Sequence, residues 1–245
     1  MDQKTVRDHF AKWEGNASYM YLDSTDHVTV GIGHLLATVD DAKSLSFIYR
    51  KDQPEVKVGG KGTNKPAAKK GDRADADAIA ADYAKVLTKA GQGYRAQAFE
   101  KLTELDLSSD DIDSLFAADI AIFEAKLPGL FPDYATYPPS AQLALLDLIY
   151  NVGKGGLQKF IALGTAVKAR DWNTASKSCH RKQISEDRNK RTAELFVAAV
   201  QEEKMMNAIR KAITEFIKVR PRIPGLGDLF KAVDFLTRPR SVPPR

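Results

Sequence analysis

Two carboxylates, Glu14 and Asp23, stand nine residues apart in the stretch 13–34, which reads WEGNASYMYLDSTDHVTVGIGH. Two acids held on separate rigid elements in one cleft can cleave a glycosidic bond. One acid protonates the leaving oxygen, while the other stabilises positive charge on the sugar, attacks it or activates water. Acidic residues are mostly exposed, so such a pair taken alone is more often two solvated side chains at the ends of elements.

A short amphipathic helix is predicted to carry Glu14. Val6, Phe10 and Trp13 recur at helical spacing, and Gly15 ends the pattern. Glu14 then lies at a helix C-terminus, where the partial negative charge of the macrodipole opposes ionisation of a carboxyl group. A carboxyl group that keeps its proton suits the role of a general acid.

A β-hairpin is predicted to carry Asp23. The polar residues 24–26 follow it and mark a turn. Residues 27–33, HVTVGIG, then alternate as a returning strand. Gly31 and Gly33 allow another element to approach this strand closely.

In the order and spacing of its motifs, this stretch resembles the lysozyme family of T-even and lambdoid-related phages. The signature of that family is E-G, a gap, Y-x-D, a turn and then T-x-G-x-G-H. Here it stands as Glu14 with Gly15, YLD at residues 21–23 and TVGIGH at residues 29–34. The resemblance implies that Glu14 is the general acid and Asp23 the second catalytic carboxylate.

Two more residues of the hairpin take roles from the same resemblance. Thr29 is implied to be the hydroxyl that positions the attacking water. His34 is implied to be a supporting residue that closes the base of the hairpin. A satisfied structural histidine is also the more common role of any lone histidine.

The second half of the chain supplies two further candidate site residues. Residues 142–152, QLALLDLIYNV, are apolar nearly all round and predict a buried core helix. In the resembled family the polar residue before the glycine pair lies at the cleft wall, and Asn151 matches it, although it could equally cap the helix. In the same family, the first arginine of an R-x-x-R segment pairs with the catalytic glutamate, and Arg188 matches that arginine. From composition alone, Arg188 belongs to an exposed basic helix start.

The predicted fold is α+β and mainly helical, with a small β-hairpin lobe and a larger helical lobe, as in lysozymes. The predicted muramidase domain is residues 1–199. Within it, residues 35–107 are an enlarged, partly helical insertion, with a loop at 51–72 and helical periodicity at 74–99. Residues 200–245 are predicted to be an extension, a helix followed by a tail rich in Pro and Arg. This extension could bind cell wall, dock a delivery apparatus or cap the helical lobe.

Composition limits the partners and cofactors. The chain has 245 residues, is 43% hydrophobic and has a net charge of +5, so it can form a real core and favours a polyanionic partner. Nucleic acid, anionic lipid and bacterial cell wall all qualify, and the catalytic motif makes nucleic acid the less favoured. The single Cys179 excludes an internal disulfide. Because the histidines and Cys179 lack ligand spacing, we expect neither metal nor cofactor.

Localisation is expected to be cytoplasmic in the producing or infected cell. The N-terminus has no apolar signal-peptide region, and no apolar run approaches membrane-span length. An enzyme of the cell wall made in this way needs a delivery route such as a holin, a secretion machine or cell lysis.

The resemblance implies hydrolysis of the β-1,4 bond between N-acetylmuramic acid and N-acetylglucosamine in peptidoglycan. An inverting route, as the family suggests, predicts carboxyl groups roughly 6.5–9.5 Å apart, whereas about 5 Å would favour a retaining route. The same chemistry could serve a secreted interbacterial effector, for which an adjacent immunity gene would be expected. Chitin is a chemically similar substrate, and a non-catalytic saccharide- or nucleic-acid-binding module is the remaining alternative.

Overall fold

A computed structural model describes residues 2–55, 67–182 and 184–218. Part of the predicted loop at 51–72 and the tail from residue 219 therefore lie outside the described residues. The chain divides into two compact units, of which one is Asp2–Ala121 and the other begins at Ile122. The fold is α+β and mainly helical, with small antiparallel sheets, as predicted.

The first unit combines short helices with two small sheets. Strands β1, β2 and β3 form one antiparallel sheet in that order, and β4 pairs with β5 in another. Its elements are α1 (Gln3–Glu14), β1 (Ala17–Leu22), β2 (Val28–Gly31), β3 (His34–Leu35), α2 (Val39–Lys43), β4 (Ile48–Tyr49), α3 (Ala76–Leu87), α4 (Ala96–Phe99), β5 (Leu105–Asp106) and α5 (Ser109–Glu124), whose last turn enters the second unit.

The hairpin packs closely against α5. Met20, Val30 and Ile32 are almost fully buried, which anchors β1 and β2 in the core. Gly31 has φ +65°, and a Cβ atom there would lie 3.2 Å from the Ile112 side chain on α5. Glycine is therefore needed at position 31 for both its backbone conformation and the close approach.

Residues 35–107 contain α2, α3, α4 and the β4–β5 pair. The helical periodicity at 74–99 corresponds to α3 and α4, with a break between them that includes Gly91 and Gly93. Arg50 closes the β4–β5 pair by donating to both carboxylate oxygens of Asp106, at 2.5 and 3.0 Å, and to the Leu105 carbonyl oxygen.

The second unit is helical, with α6 at its centre. It contains α6 (Pro139–Leu157), α7 (Ile161–Lys168), α8 (Trp172–Ser178) and α9 (Glu186–Lys218), with a short 3₁₀ helix at Tyr134–Thr136. The predicted buried core helix is confirmed, because seven consecutive side chains of α6 are buried. These are Leu143, Ala144, Leu145, Leu146, Asp147, Leu148 and Ile149. Helix α6 packs against α9, which also packs against α8.

Two helix boundaries differ from the prediction. Gly153, at φ 67°, kinks α6 instead of ending it, and a further helical turn follows. The helix predicted to begin near residue 200 is instead the second half of α9, which is continuous from Glu186 to Lys218. Among the described residues, no helix combines the length and apolar character required to cross a bilayer.

Candidate active site

Glu14 is the last residue of α1, as predicted. Asp2 caps the start of the helix by accepting a hydrogen bond from the Thr5 amide at 2.9 Å. Gly15, at φ 78°, ends it in a conformation that side-chain-bearing residues rarely adopt. Phe10 fixes α1 in the core through its contact with Phe116 of α5, with ring centroids 5.6 Å apart. The half-buried Glu14 side chain is therefore presented from a rigid helix end.

Asp23 lies in the hairpin loop immediately after β1, also as predicted. Its Oδ1 accepts three hydrogen bonds, from the Thr25 amide at 2.7 Å, the Thr25 hydroxyl at 2.8 Å and the His27 amide at 3.0 Å. No residue in the described ranges donates to Oδ2, and 36% of the side chain is exposed. The loop thus fixes one carboxylate oxygen and leaves the other available to a ligand or water.

The charges of both carboxylates act on the Tyr21 hydroxyl. Burial raises the pKa of Tyr21 well above its usual range, and the negative charges of Glu14 and then Asp23 raise it further. A charge affects a phenol in this way only at short range, because water and salt screen distant charges. The fields of Glu14 and Asp23 therefore overlap at one buried group of the same unit.

Thr29 lies on β2 with its Cα opposite that of Tyr21. The residue is buried, and its hydroxyl donates to the His27 carbonyl oxygen at 3.2 Å. The hydroxyl oxygen retains lone pairs that can accept a hydrogen bond from water. Positioning of an attacking water by Thr29 stays a prediction.

His34 links the hairpin to α5. It begins β3, with its Cα opposite that of Val30, and its Nδ1 lies 2.8 Å from Asp119 Oδ2. Sequence analysis missed Asp119, although it follows Phe116 by three residues and so shares the inward face of α5. The strand pairing of His34 and its contact with Asp119 are the geometry expected of a residue that fixes the base of the hairpin.

Asn151 and Arg188 belong to a buried polar cluster around Asp147 in the second unit. Asp147 Oδ1 accepts from Arg188 Nε and Nη2 at 3.0 and 2.8 Å. Its Oδ2 accepts from Arg181 Nη2 and the Thr192 hydroxyl, both at 2.9 Å. Arg181 Nη1 also lies 3.5 Å from Asn151 Oδ1.

The alternative that Arg188 belongs to an exposed helix start is wrong, because Arg188 is buried on the first turn of α9. Burial lowers the pKa of Arg181, an effect that Asp147 opposes and Arg188 reinforces. The pairing of Arg188 with Glu14 stays a prediction.

Sequence analysis also missed Asp147 and Arg181. Asp147 is the one charged residue in the otherwise apolar stretch 142–152. An acid placed alone in a buried helix needs cationic or hydrogen-bonding partners, and this signal could have found the cluster.

Within the described residues, no group of three or more His, Cys, Asp or Glu side chains is arranged to hold a metal ion. No protein-family model matches the chain. No curated protein matches it at a significant level. The resemblance to phage lysozymes thus rests on the motif residues of this chain.

Proposed function

We propose that this protein is a peptidoglycan hydrolase that cleaves the β-1,4 bond between N-acetylmuramic acid and N-acetylglucosamine, as a phage endolysin does. The observation that carries the proposal is that Glu14 ends α1 and Asp23 directly follows β1 in the same unit, where both charges add to the effect of burial in raising the pKa of Tyr21. Two carboxylates of one unit, each held at the end of a regular element, are the kind of residues that a glycosidase requires.

In the proposed reaction, Glu14 donates its proton to the glycosidic oxygen as the bond from that oxygen to the anomeric carbon breaks. Asp23 removes a proton from a water bound with the help of Thr29, and the water oxygen bonds to the anomeric carbon from the opposite face. Asp23 Oδ2 supports this role, because no described residue donates to it while Oδ1 is already occupied by the loop. The reaction inverts the anomeric configuration, and it ends when Asp23 releases its proton to solvent and solvent returns a proton to Glu14.

The proposed setting follows from charge and chemistry. A net charge of +5 favours approach to the anionic cell wall. The hydrolysis requires no cofactor. The same proposal includes delivery to the wall by a partner apparatus. If the chain acts as an interbacterial effector, it also includes inhibition by an immunity protein.

The test is loss of turbidity of purified peptidoglycan, followed by borohydride reduction and analysis of the released ends. We expect reduced muramic acid ends with the wild-type protein. Glu14→Gln should lower the rate by about 10²- to 10⁴-fold, because a general acid contributes that much. Glu104→Gln is the matched control, since Glu104 is a half-exposed glutamate of the same unit paired with Lys85 at 2.8 Å.

Other outcomes would contradict the proposal in different ways. Reduced glucosamine ends would identify the other β-1,4 bond of the glycan as the target. Absence of lysis by a folded wild-type protein would refute hydrolysis and favour a saccharide-binding module.

A further inference from the structure

The Thr25 hydroxyl lies between Asp23 and His27. Its oxygen is 2.8 Å from Asp23 Oδ1 and 2.7 Å from His27 Nδ1. A hydroxyl group has one proton to donate. When that proton is donated to Asp23, the contact with His27 is a hydrogen bond only if Nδ1 carries a proton of its own.

Whether His27 Nδ1 carries a proton therefore decides whether the Thr25 hydroxyl donates to Asp23 Oδ1 or to His27. An imidazolium carries protons on both ring nitrogens, so Nδ1 donates to Thr25 and Thr25 donates to Asp23. A neutral imidazole with its proton on Nε2 accepts from Thr25 instead, and the hydroxyl then turns away from Asp23. Protonated His27 also brings a positive charge 3.8 Å from Oδ1.

Among the described residues, other charged groups near this loop have contacts of their own. Asp26, next to His27, uses its carboxylate to accept from the Gly91 amide at 3.0 Å. In the segment after α3, the Lys89 ammonium lies over the Tyr94 ring, 5.3 Å from its centroid. On the hairpin side, the negative charge of Glu14 acts on the Tyr21 hydroxyl, whose pKa it raises. Among the described residues, Asp23 is the one carboxylate within ion-pair distance of the His27 ring.

We propose that His27 is a positioning residue that acts through Thr25 to hold the Asp23 carboxylate with Oδ1 bound by the loop and Oδ2 directed to the reaction. The inference rests on the proposed function, because it assigns Oδ2 as the oxygen that activates water. Histidine side chains typically lose their charge between about pH 5 and 8. When Nδ1 carries no proton, the hydroxyl turns to His27 and Asp23 loses a donor, so the turnover number kcat should be lower on the alkaline side.

The experiment measures kcat and KM on soluble peptidoglycan fragments as a function of pH. Thr25→Val keeps the amide donor but removes the hydroxyl, and it should lower kcat by about two- to tenfold with little change in KM. Thr25→Ser should restore the wild-type profile. His27→Asn places an amide donor that does not titrate near the position of Nδ1. The part of the alkaline decline that depends on His27 should therefore disappear, while the part that the general acid Glu14 imposes should remain.

Thr174→Val is the matched control, because the Thr174 amide and hydroxyl also donate to one aspartate, reaching Asp171 Oδ1 and Oδ2 at the start of α8. Its pH profile should equal that of the wild type. Alkaline profiles for Thr25→Val and His27→Asn that match the wild type would overturn the inference.

A second measurement does not depend on activity. Nitrogen NMR of the His27 ring and carbon NMR of the Asp23 carboxyl group should show one shared titration step, which Thr25→Val removes. A neutral His27 with its proton on Nδ1 would still donate to Thr25, so that tautomer, or independent titration of the two groups, would overturn the inference. If the wild-type protein does not cleave peptidoglycan, the proposed function fails, and the NMR result alone decides whether the relay exists.

Discussion

At the scale of single residues, Asp147 has the most demanding environment among the site candidates. Its carboxylate is fully buried and lies between two buried arginines, Arg181 and Arg188, with Thr192 as a fourth member. Placing charges in the interior costs free energy, which close pairing and complete hydrogen bonding offset. Removal of one member leaves the others buried without their partner.

Asp147→Ala is therefore expected to lower the free energy of unfolding by about 3–5 kcal/mol, because it leaves two buried guanidinium groups without their shared acceptor. Urea denaturation followed by circular dichroism measures the change. Asp133→Ala, at an exposed aspartate of the same unit, is the control and should change the unfolding free energy by no more than about 0.5 kcal/mol. A loss below about 1 kcal/mol for Asp147→Ala would mean that solvent or rearranged side chains replace the ion pairs.

At the scale of elements, two adjacent acids of α9 beyond residue 199 form hydrogen bonds with the rest of their unit. Glu202 caps the start of α6, accepting from the Ser140 amide at 2.9 Å and the Ser140 hydroxyl at 2.6 Å. Glu203 accepts from Arg170 Nη1 at 3.0 Å and from the indole nitrogen of Trp172 at 3.2 Å. These contacts agree with the alternative in which the extension caps the helical lobe.

Glu203→Ala should destabilise the protein by about 1–3 kcal/mol, because the buried Trp172 indole N–H would lose its acceptor and Arg170 its ion pair. Thermal and urea unfolding both measure this loss. Glu194→Ala, at a half-exposed glutamate of the same helix that pairs with Arg191 at 3.7 Å, should have a much smaller effect. Equal effects of the two substitutions would show that residues beyond 199 add little to the unit.

Local elements were predictable because their signals lie within a few residues. The Ser108 hydroxyl caps α5 by accepting from the Asp111 amide at 3.1 Å, only three positions along the chain. The end of α1 at Gly15 and the hairpin turn after Asp23 follow from equally local patterns. Such ends depend on side chains and backbone groups only a few positions apart.

Pairings between distant segments were not predictable from these patterns. His34 and Asp119 are 85 positions apart, and Asp147 is 41 positions from Arg188. Only tertiary packing brings such groups together, so local periodicity carries no information about them. For the same reason, the helices that carry Asp147 and Glu14 were predicted, but the pairing of Asp147 with Arg188 was not.

At the scale of the whole molecule, buried phenols occur in both units. Burial is the main cause that raises the pKa of Tyr21 in the first unit and of Tyr134 and Tyr137 in the second. Tyr137 packs edge-on against Trp172, with ring centroids 5.2 Å apart. Its pKa is raised to about 12, with burial the largest cause and Asp133 the next, while Arg170 opposes the increase.

These phenols predict that the protein loses stability in alkaline solution. The folded state holds the Tyr137 proton more tightly than the unfolded chain, whose tyrosines titrate near pH 10. The neutral phenol's contribution is thus complete below about pH 10 and is lost as the pH rises through about 12. Because phenylalanine does not titrate, the unfolding free energy of the wild type relative to Tyr137→Phe should decrease across this interval in urea titrations. Tyr94→Phe, at a half-exposed tyrosine, is the control. A constant difference for Tyr137→Phe would mean that the Tyr137 hydroxyl ionises without disturbing the packing around Trp172.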